Sequence, residues 1–221
     1  MLYLIDDANI ESIKTITQYF PITGVTTNPS IIAANGENVY KKIKEIRDVI
    51  GPDCELHAQV LASTCDEIVQ EAIRLRDAVG GKFFVKVPVT GEGLKSISVL
   101  KELGFGVTAT AIFTAQQALL AATAGADYVA PYVNRIDNFS SDGIGVVADI
   151  VELFDMYGKD TKVLAASFKN TQQVHNVAMA GSHAATISCD LFEKLIYHPL
   201  TTAAIMEFEE KGAEFYTYEE K

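Results

Sequence analysis

The strongest chemical signal in the chain is a lysine within an apolar run, Phe83 to Val89, whose sequence is FFVKVPV. An ammonium group in such surroundings is costly unless it is paired or loses its proton. Desolvation lowers the pKa of a lysine, and a neutral amine is a nucleophile toward carbonyl carbons. Lys86 is therefore a candidate Schiff-base residue. The structural alternative is that it pairs with a carboxylate or extends its head to a strand end.

The composition limits the classes of partner. A net charge of -11 over 221 residues argues against nucleic acid or an anionic membrane as a partner. Hydrophobic residues make up 48% and charged residues 21%, as in globular proteins, and no apolar run approaches membrane-spanning length. The N-terminal MLYLIDD lacks the basic residues of a signal peptide, so we expect a cytoplasmic protein.

Short β-type runs alternate with helix-period segments along the whole chain. The predicted strands are Leu2–Asp6, Gly24–Thr27, Glu55–Leu61, Phe83–Val89, Val107–Ile112, Tyr128–Val133, Lys162–Phe168 and Ala184–Ser188. Eight strands alternating with helices predict parallel pairing and a single-domain (β/α)8 TIM barrel over residues 1–221, with an open doubly wound sheet as the competitor. A further helix over Leu200–Phe215 exceeds the count of eight and is a candidate for packing on a neighbouring subunit.

Seven of these strands carry a polar residue towards their C-terminal ends. These residues are Asp6, Thr26, Gln59, Lys86, Thr110, Tyr132 and Ser167. Side chains alternate faces along a strand, and active sites of TIM barrels lie at the C-terminal ends of the strands. The pattern predicts a polar pocket above an apolar floor made of Leu4, Phe84, Ala130 and Ala165. The alternative is that the polar residues merely solvate strand ends.

Four segments resemble a known family: GVTTNPSIIAANG, VKVPVT, APYVNRID and VLAASFK. They are similar to the small-transaldolase and fructose-6-phosphate aldolase family of class I aldolases. The resemblance implies a barrel with a Schiff-base lysine on the fourth strand, where Lys86 lies, and no cofactor. It also implies small-molecule partners, namely dihydroxyacetone and sugar phosphates, and homo-oligomeric rings such as a decamer. Gln59 and Tyr132 match the aldolase branch, because transaldolases more often show glutamate and phenylalanine there.

The same resemblance implies roles for the catalytic candidates. Gln59, Thr110 and Tyr132 would hold a water molecule that transfers protons. Asp6 would accept the hydroxyl proton of the carbon that is released as an aldehyde, and a structural ion pair with Lys86 is its alternative role. Proton transfer of this kind needs groups within hydrogen-bond reach of the reacting atoms or one water away.

The substrate-binding candidates are Thr26, Asn28, Arg135, Ser167 and Lys169. Asn28 would bind the terminal hydroxyl of the donor, although it is equally suited to cap the helix that follows it. Arg135 resembles a phosphate contact, and its alternative is an ion pair with Asp137 in a predicted polar loop over Arg135–Asp142. Lys169 stands where transaldolases often have arginine, and the lost guanidinium would weaken phosphate binding.

Other signals do not predict a site. The four histidines, His57, His175, His183 and His198, have no metal-type spacing, so we expect no zinc site, and His57 is placed within the third strand. Two GxGxxA patterns do not open the first βα turn, so no dinucleotide site is expected. The resemblance thus implies a cofactor-free aldolase that makes or cleaves fructose 6-phosphate. The alternatives are a transaldolase of the pentose phosphate pathway and a non-catalytic barrel that binds sugar phosphates.

Overall fold

The computed structural model describes residues 1–216, in which eight parallel strands pair in chain order and close into a barrel. The strands are β1 (Leu2–Asp6), β2 (Gly24–Thr26), β3 (Glu55–Gln59), β4 (Phe83–Pro88), β5 (Gly106–Ile112), β6 (Tyr128–Pro131), β7 (Lys162–Ala165) and β8 (Ala184–Ile187). β1 pairs with both β2 and β8, which closes the sheet. The predicted TIM barrel is therefore confirmed, and the open doubly wound sheet is wrong.

Helices follow the strands and surround the barrel. They are α1 (Ile10–Tyr19), α2 (Pro29–Ala34), α3 (Val39–Ile50), α4 (Cys65–Val79), α5 (Gly91–Glu102), α6 (Ala115–Thr123), α7 (Val133–Asp137), α8 (Gly143–Met156), α9 (Thr171–Met179), α10 (Cys189–Ile196) and α11 (Pro199–Gly212). The polar loop predicted over Arg135–Asp142 is wrong in its first part, because Arg135 lies within the short helix α7.

Most helix starts follow the capping preferences of the sequence, but the Thr64 and Ser188 side chains do not cap the helices that they precede. Asn28 caps α2 by accepting hydrogen bonds from the backbone of Ser30 and Ile31. Thr64 and Glu67 have the spacing of a capping box, but none forms, because the Thr64 hydroxyl donates to the Glu67 carboxylate at 2.7 Å instead of accepting from the backbone. A complete capping box, with both reciprocal hydrogen bonds, forms at the start of α6.

The apolar core has two parts. The larger part lies between the strands and the helices, and a smaller cluster of Leu4, Tyr128, Leu164 and Ala184 lies apart from it, with Phe84 packed against it. The predicted floor residues Leu4 and Phe84 belong to this smaller cluster. Ala165 does not, because it packs in the cluster shared with the helices while its neighbour Leu164 joins the smaller one.

The interior of the barrel is polar along β3, β5 and β6. The sequence predicted only an apolar floor there. Glu55 and His57 are buried on β3. The Nδ1 atom of His57 lies 2.8 Å from the Thr108 hydroxyl, and the Tyr128 hydroxyl donates to the Glu55 carboxylate at 3.1 Å. The Lys82 ammonium reaches the same carboxylate from the barrel end at 2.8 Å. The floor beneath the C-terminal ends of these strands is thus a charged and hydrogen-bonded network.

Helix α11 differs from the other long helices because none of its residues is buried. Its large apolar side chains, Leu200, Ile205, Met206 and Phe208, are all at least 50% exposed. Within residues 1–216, the helices are all too short or too polar to cross a membrane.

Candidate active site

A cavity of about 190 Å³ opens at the C-terminal ends of the strands. Seven of the ten residues predicted for the site line it: Asp6, Thr26, Asn28, Lys86, Tyr132, Arg135 and Ser167. These residues come from five strands or from the segments that follow them. They meet here because parallel strands that close into a barrel bring their carboxyl ends to one rim.

Lys86 lies near the end of β4 and is only 4% exposed, yet its side chain lines the cavity. Its Nζ atom donates a hydrogen bond of 2.8 Å to the backbone carbonyl oxygen of Thr27. The Thr27 peptide is in turn anchored, because its N–H and its hydroxyl both donate to the carbonyl oxygen of His57, at 2.9 and 3.2 Å. The amine is therefore held at the base of the cavity and not among the surrounding helices.

Asp6 ends β1 and takes part in a chain of hydroxyl hydrogen bonds. Its Oδ1 atom accepts a hydrogen bond of 2.8 Å from the Thr26 hydroxyl, which lies 2.7 Å from the hydroxyl of Thr186. Burial raises the pKa of Asp6 above its ordinary value, and the charge of Lys86 and the hydrogen bond from Thr26 offset only part of that effect. A carboxylate with a raised pKa is a stronger base, which suits a group that must take up a proton.

Tyr132 follows β6 and meets Thr110 of β5, their hydroxyl oxygens lying 2.8 Å apart. The register of β5 against β6 shifts between Ala109 and Ile112, and Ala111 has a φ of +57°. Such an irregularity changes the direction of neighbouring side chains and is frequent next to active sites. It lies directly after the buried Thr110, which reaches the cavity through the Tyr132 hydroxyl.

Arg135 lies on α7 and lines the same cavity. Its guanidinium carbon is 4.7 Å from the centre of the Tyr132 ring, within the range of a cation–π contact. The Asp137 carboxylate, the alternative partner, accepts hydrogen bonds from the Gly143 N–H at 2.8 Å and the Gln173 amide at 2.7 Å. Arg135 and Asp137 therefore have separate partners, Tyr132 for the first and Gly143 and Gln173 for the second.

Ser167 lies two residues beyond β7 and has a φ of +64°. This left-handed conformation is uncommon for residues other than glycine, and it interrupts the alternation of side chains. As a result both Ala166 and Ser167 line the cavity. Two-residue alternation would put Ala165 on the same face as Ser167. That prediction for the floor is wrong, because the backbone at Ser167 breaks the alternation.

Three predicted residues do not line this cavity: Thr110, which contacts it only through Tyr132, Gln59 and Lys169. Gln59 is paired in register with Lys86 on the adjacent strand, but its side chain lines a neighbouring cavity of about 230 Å³. Asn28 lines both cavities. Lys169 is exposed, and its backbone N–H donates to the Gln173 side chain at 2.8 Å.

The sequence reasoning missed two contributions to the site. The carbonyl oxygen of Thr27 carries no sequence signal, because any residue type could supply it. Thr186 on β8 lines the cavity and reaches Asp6 through Thr26. The rule that found a polar residue near the end of the other seven strands would also have found Thr186, had it been applied to β8.

The charged groups of the cavity suit an anionic or carbonyl-containing ligand. Lys86 and Arg135 both line it, and Asp6 supplies a carboxyl group. Across residues 1–216, no group of three or more histidine, cysteine, aspartate or glutamate side chains is placed to hold a metal ion.

Comparisons with known proteins agree with this arrangement. The family model described as transaldolase/fructose-6-phosphate aldolase matches residues 3–220. The chain is also 40% identical over 209 residues, 94% of each chain, to a protein of Streptococcus pneumoniae (strain ATCC 700669 / Spain 23F-1) named "Probable fructose-6-phosphate aldolase". A match over nearly the whole length, at this identity, shows the family. The chain belongs to the transaldolase/fructose-6-phosphate aldolase family and is an enzyme of the aldolase or transaldolase type.

Proposed function

We propose that the protein is a class I aldolase in which Lys86 forms a Schiff base with dihydroxyacetone or a ketose. The reaction is the reversible cleavage of fructose 6-phosphate to dihydroxyacetone and glyceraldehyde 3-phosphate. The observation that carries the proposal is a buried amine at the base of a cavity that Asp6 and Arg135 also line. The name of the pneumococcal relative supports this choice of substrate.

The reaction begins when the neutral amine of Lys86 attacks the ketone carbon. The resulting carbinolamine loses water to give an iminium ion, which withdraws electrons from the substrate. The bond between the third and fourth carbons then breaks, its electron pair passing to the iminium to form an enamine. Asp6 accepts the proton from the hydroxyl of the fourth carbon, which leaves as the aldehyde. Protonation of the enamine and hydrolysis release dihydroxyacetone and regenerate the amine.

Proton transfers at the imine require an acid or base within reach of it. The Tyr132 hydroxyl, hydrogen-bonded to Thr110, lines the cavity beside Lys86 and can pass a proton through one water molecule. Gln59 cannot donate or accept a proton in this sense, but its amide can orient the water. Its register position beside Lys86 supports that role, although its side chain lines the neighbouring cavity.

Arg135 and Ser167 are the proposed phosphate contacts, and Asn28 the proposed contact for a terminal hydroxyl of the donor. A guanidinium group and a hydroxyl that line the same cavity suit a phosphate ester. The Asn28 side-chain oxygen caps α2, whereas binding a hydroxyl oxygen would use the amide nitrogen, so both roles are compatible. Lys169, which is exposed and does not line the cavity, would contribute only through its charge.

Transaldolase activity is the second candidate, because the family includes both reactions. The two activities differ in the fate of the dihydroxyacetone unit, and incubation with fructose 6-phosphate alone separates them. Steady release of free dihydroxyacetone supports the aldolase. Release of only one equivalent per active site, with further turnover requiring erythrose 4-phosphate, supports the transaldolase and contradicts the proposal.

The Schiff base itself is tested by trapping. Borohydride reduction in the presence of dihydroxyacetone, followed by peptide mass mapping, should place the adduct on Lys86. The variant Lys86→Arg should keep the fold and lose turnover, because arginine does not deprotonate to a nucleophile. Lys95→Arg, at an exposed position of α5, is the matched control and should behave like the wild type. Absence of an adduct would favour the non-catalytic sugar-phosphate-binding barrel.

The assembly is proposed to be a homo-oligomer in which α11 packs on a neighbouring subunit. The support is a helix with no buried residue and a row of exposed apolar side chains, among them Ile205, Met206 and Phe208. Exposed apolar area of this kind marks interaction surfaces. The ring size and the cytoplasmic location stay predictions from the sequence.

A further inference from the structure

A buried histidine lies on β3, two residues before Gln59, the position that pairs with the proposed nucleophile. His57 has no exposed surface, and its ring stacks on Phe84 with 4.6 Å between ring centres. Its Nδ1 atom is 2.8 Å from the Thr108 hydroxyl oxygen, and its Nε2 atom is 3.4 Å from the Glu55 carboxylate. The hydroxyl, imidazole and carboxylate thus form a chain in the barrel interior, and the proposed chemistry uses none of the three.

The surroundings of His57 select one tautomer. Burial lowers the pKa of His57, so the ring is neutral near neutral pH and carries a single N–H. The carboxylate of Glu55, which is also paired with Lys82, is only an acceptor, so the hydrogen of the ring faces it from Nε2. Nδ1 is then the acceptor, and the Thr108 hydroxyl must donate its hydrogen to it.

Thr108 stands beside Lys86. The two residues are paired in register on β5 and β4, and paired positions on neighbouring parallel strands lie about 4.8 Å apart with side chains on the same face. Because the hydroxyl hydrogen of Thr108 is committed to His57, its oxygen presents only lone pairs to the other groups around it. A hydroxyl in this state cannot donate a hydrogen bond to an amine.

We propose that His57 is a positioning residue for the nucleophile, because it turns the Thr108 hydroxyl hydrogen away from Lys86 and leaves the amine lone pair free for the ketone carbon. This inference rests on the proposed function, since it presupposes attack by Lys86. Without His57, the buried hydroxyl would seek another acceptor, and a neutral amine is a good one. An amine that accepts a hydrogen bond must break it before it can form the imine.

The test is a double-variant cycle that measures the rate of imine formation. Enzyme and dihydroxyacetone are mixed rapidly and quenched with borohydride at a series of times, and the adduct on Lys86 is counted by mass spectrometry. His57→Phe keeps an aromatic ring on Phe84 but frees the Thr108 hydroxyl, and should slow imine formation roughly tenfold. In the Thr108→Val background the same substitution should change the rate by less than about twofold, because the hydroxyl is gone.

A merely structural histidine gives a different pattern. Equal slowing by His57→Phe in both backgrounds, or no slowing in either, would overturn the inference. His175→Phe, at an exposed position of α9, is the matched control, and thermal unfolding checks the fold of each variant. If wild-type enzyme forms no adduct on Lys86, the proposed function fails and this inference fails with it.

A measurement on the wild-type chain keeps the inference testable if His57→Phe does not fold. Nitrogen-15 chemical shifts distinguish the two neutral histidine tautomers. The expected result is a protonated Nε2 and an unprotonated Nδ1 in His57 at neutral pH. A protonated Nδ1 would mean that the Thr108 hydroxyl is not held as a donor to the ring, and would overturn the inference.

Discussion

Replacing Glu55 with glutamine should remove a component of the pH dependence of stability that arises beneath the site. The Glu55 side chain is 5% exposed and lies 2.8 Å from the Lys82 ammonium. Burial alone would raise the pKa of Glu55, but hydrogen bonds from His57 and Lys82 and the positive charge of Lys82 lower it to about 2. The ordinary value, expected in the unfolded chain, is 4.5.

The sign and size of the effect follow from these two values. Because the folded pKa lies below the unfolded one, the unfolded chain takes up a proton first as the pH falls. The stabilisation is therefore fully present above the unfolded pKa of 4.5 and is lost as the pH falls through the folded value of about 2. This difference between the folded and unfolded pKa contributes about 3 kcal/mol to the free energy of unfolding at neutral pH. About 2 kcal/mol of that contribution is lost by about pH 3.

Urea unfolding of wild type and Glu55→Gln at several values between about pH 6 and pH 3 measures this contribution directly. The gap in unfolding free energy between the two proteins should narrow by about 2 kcal/mol as the pH falls. Glu102→Gln, at an exposed position of α5, is the control, and its stability should run parallel to the wild type within about 0.5 kcal/mol. Parallel curves for wild type and Glu55→Gln would refute the reasoning.

Four further outcomes test other parts of the structure. Burial raises the pKa of Asp6, and the proposed base must be ionised. As the pH is lowered, turnover should therefore begin to fall at a higher pH than the ordinary pKa of an aspartate would give. Asp6→Asn should lose most turnover and this acid limb of the pH–rate profile, and a surviving limb would contradict the role. Tyr132→Phe, which removes the hydroxyl 2.8 Å from Thr110, should lower turnover about 100-fold with little change in melting temperature; equal turnover would exclude a proton-transfer role. Ala111→Gly should relieve a φ of +57° and stabilise the protein by about 1 kcal/mol in urea unfolding, and no gain would mean that the bulge is unstrained. Deletion of residues 199–221 should leave a folded barrel that sediments with fewer subunits per assembly. An unchanged number of subunits would count against docking by α11.

The sequence determined the features that depend on local pattern. Alternating strand and helix periods predict eight parallel strands, and the order of these elements alone allows a barrel or an open sheet. The position of Lys86 in an apolar strand, and of Asp6 at the end of another, follows from two-residue alternation, which is a property of every extended chain. Capping at Asn28 likewise depends only on neighbours in the chain, and it is observed.

Only the tertiary structure decided which side chains meet. Closure of the barrel selects the partners of each strand, and it sets Thr186 of the last strand against Thr26 of the second. The left-handed backbone at Ser167 and the bulge after Thr110 break the local alternation, and packing imposes both. The polar floor also has no local signal, because Glu55 is in contact with Tyr128 and Lys82 only after distant strands have come together. Alternation is set within a few bonds of each residue, so it could be predicted from the sequence. Contacts between strands depend on how the whole sheet closes, so they could not.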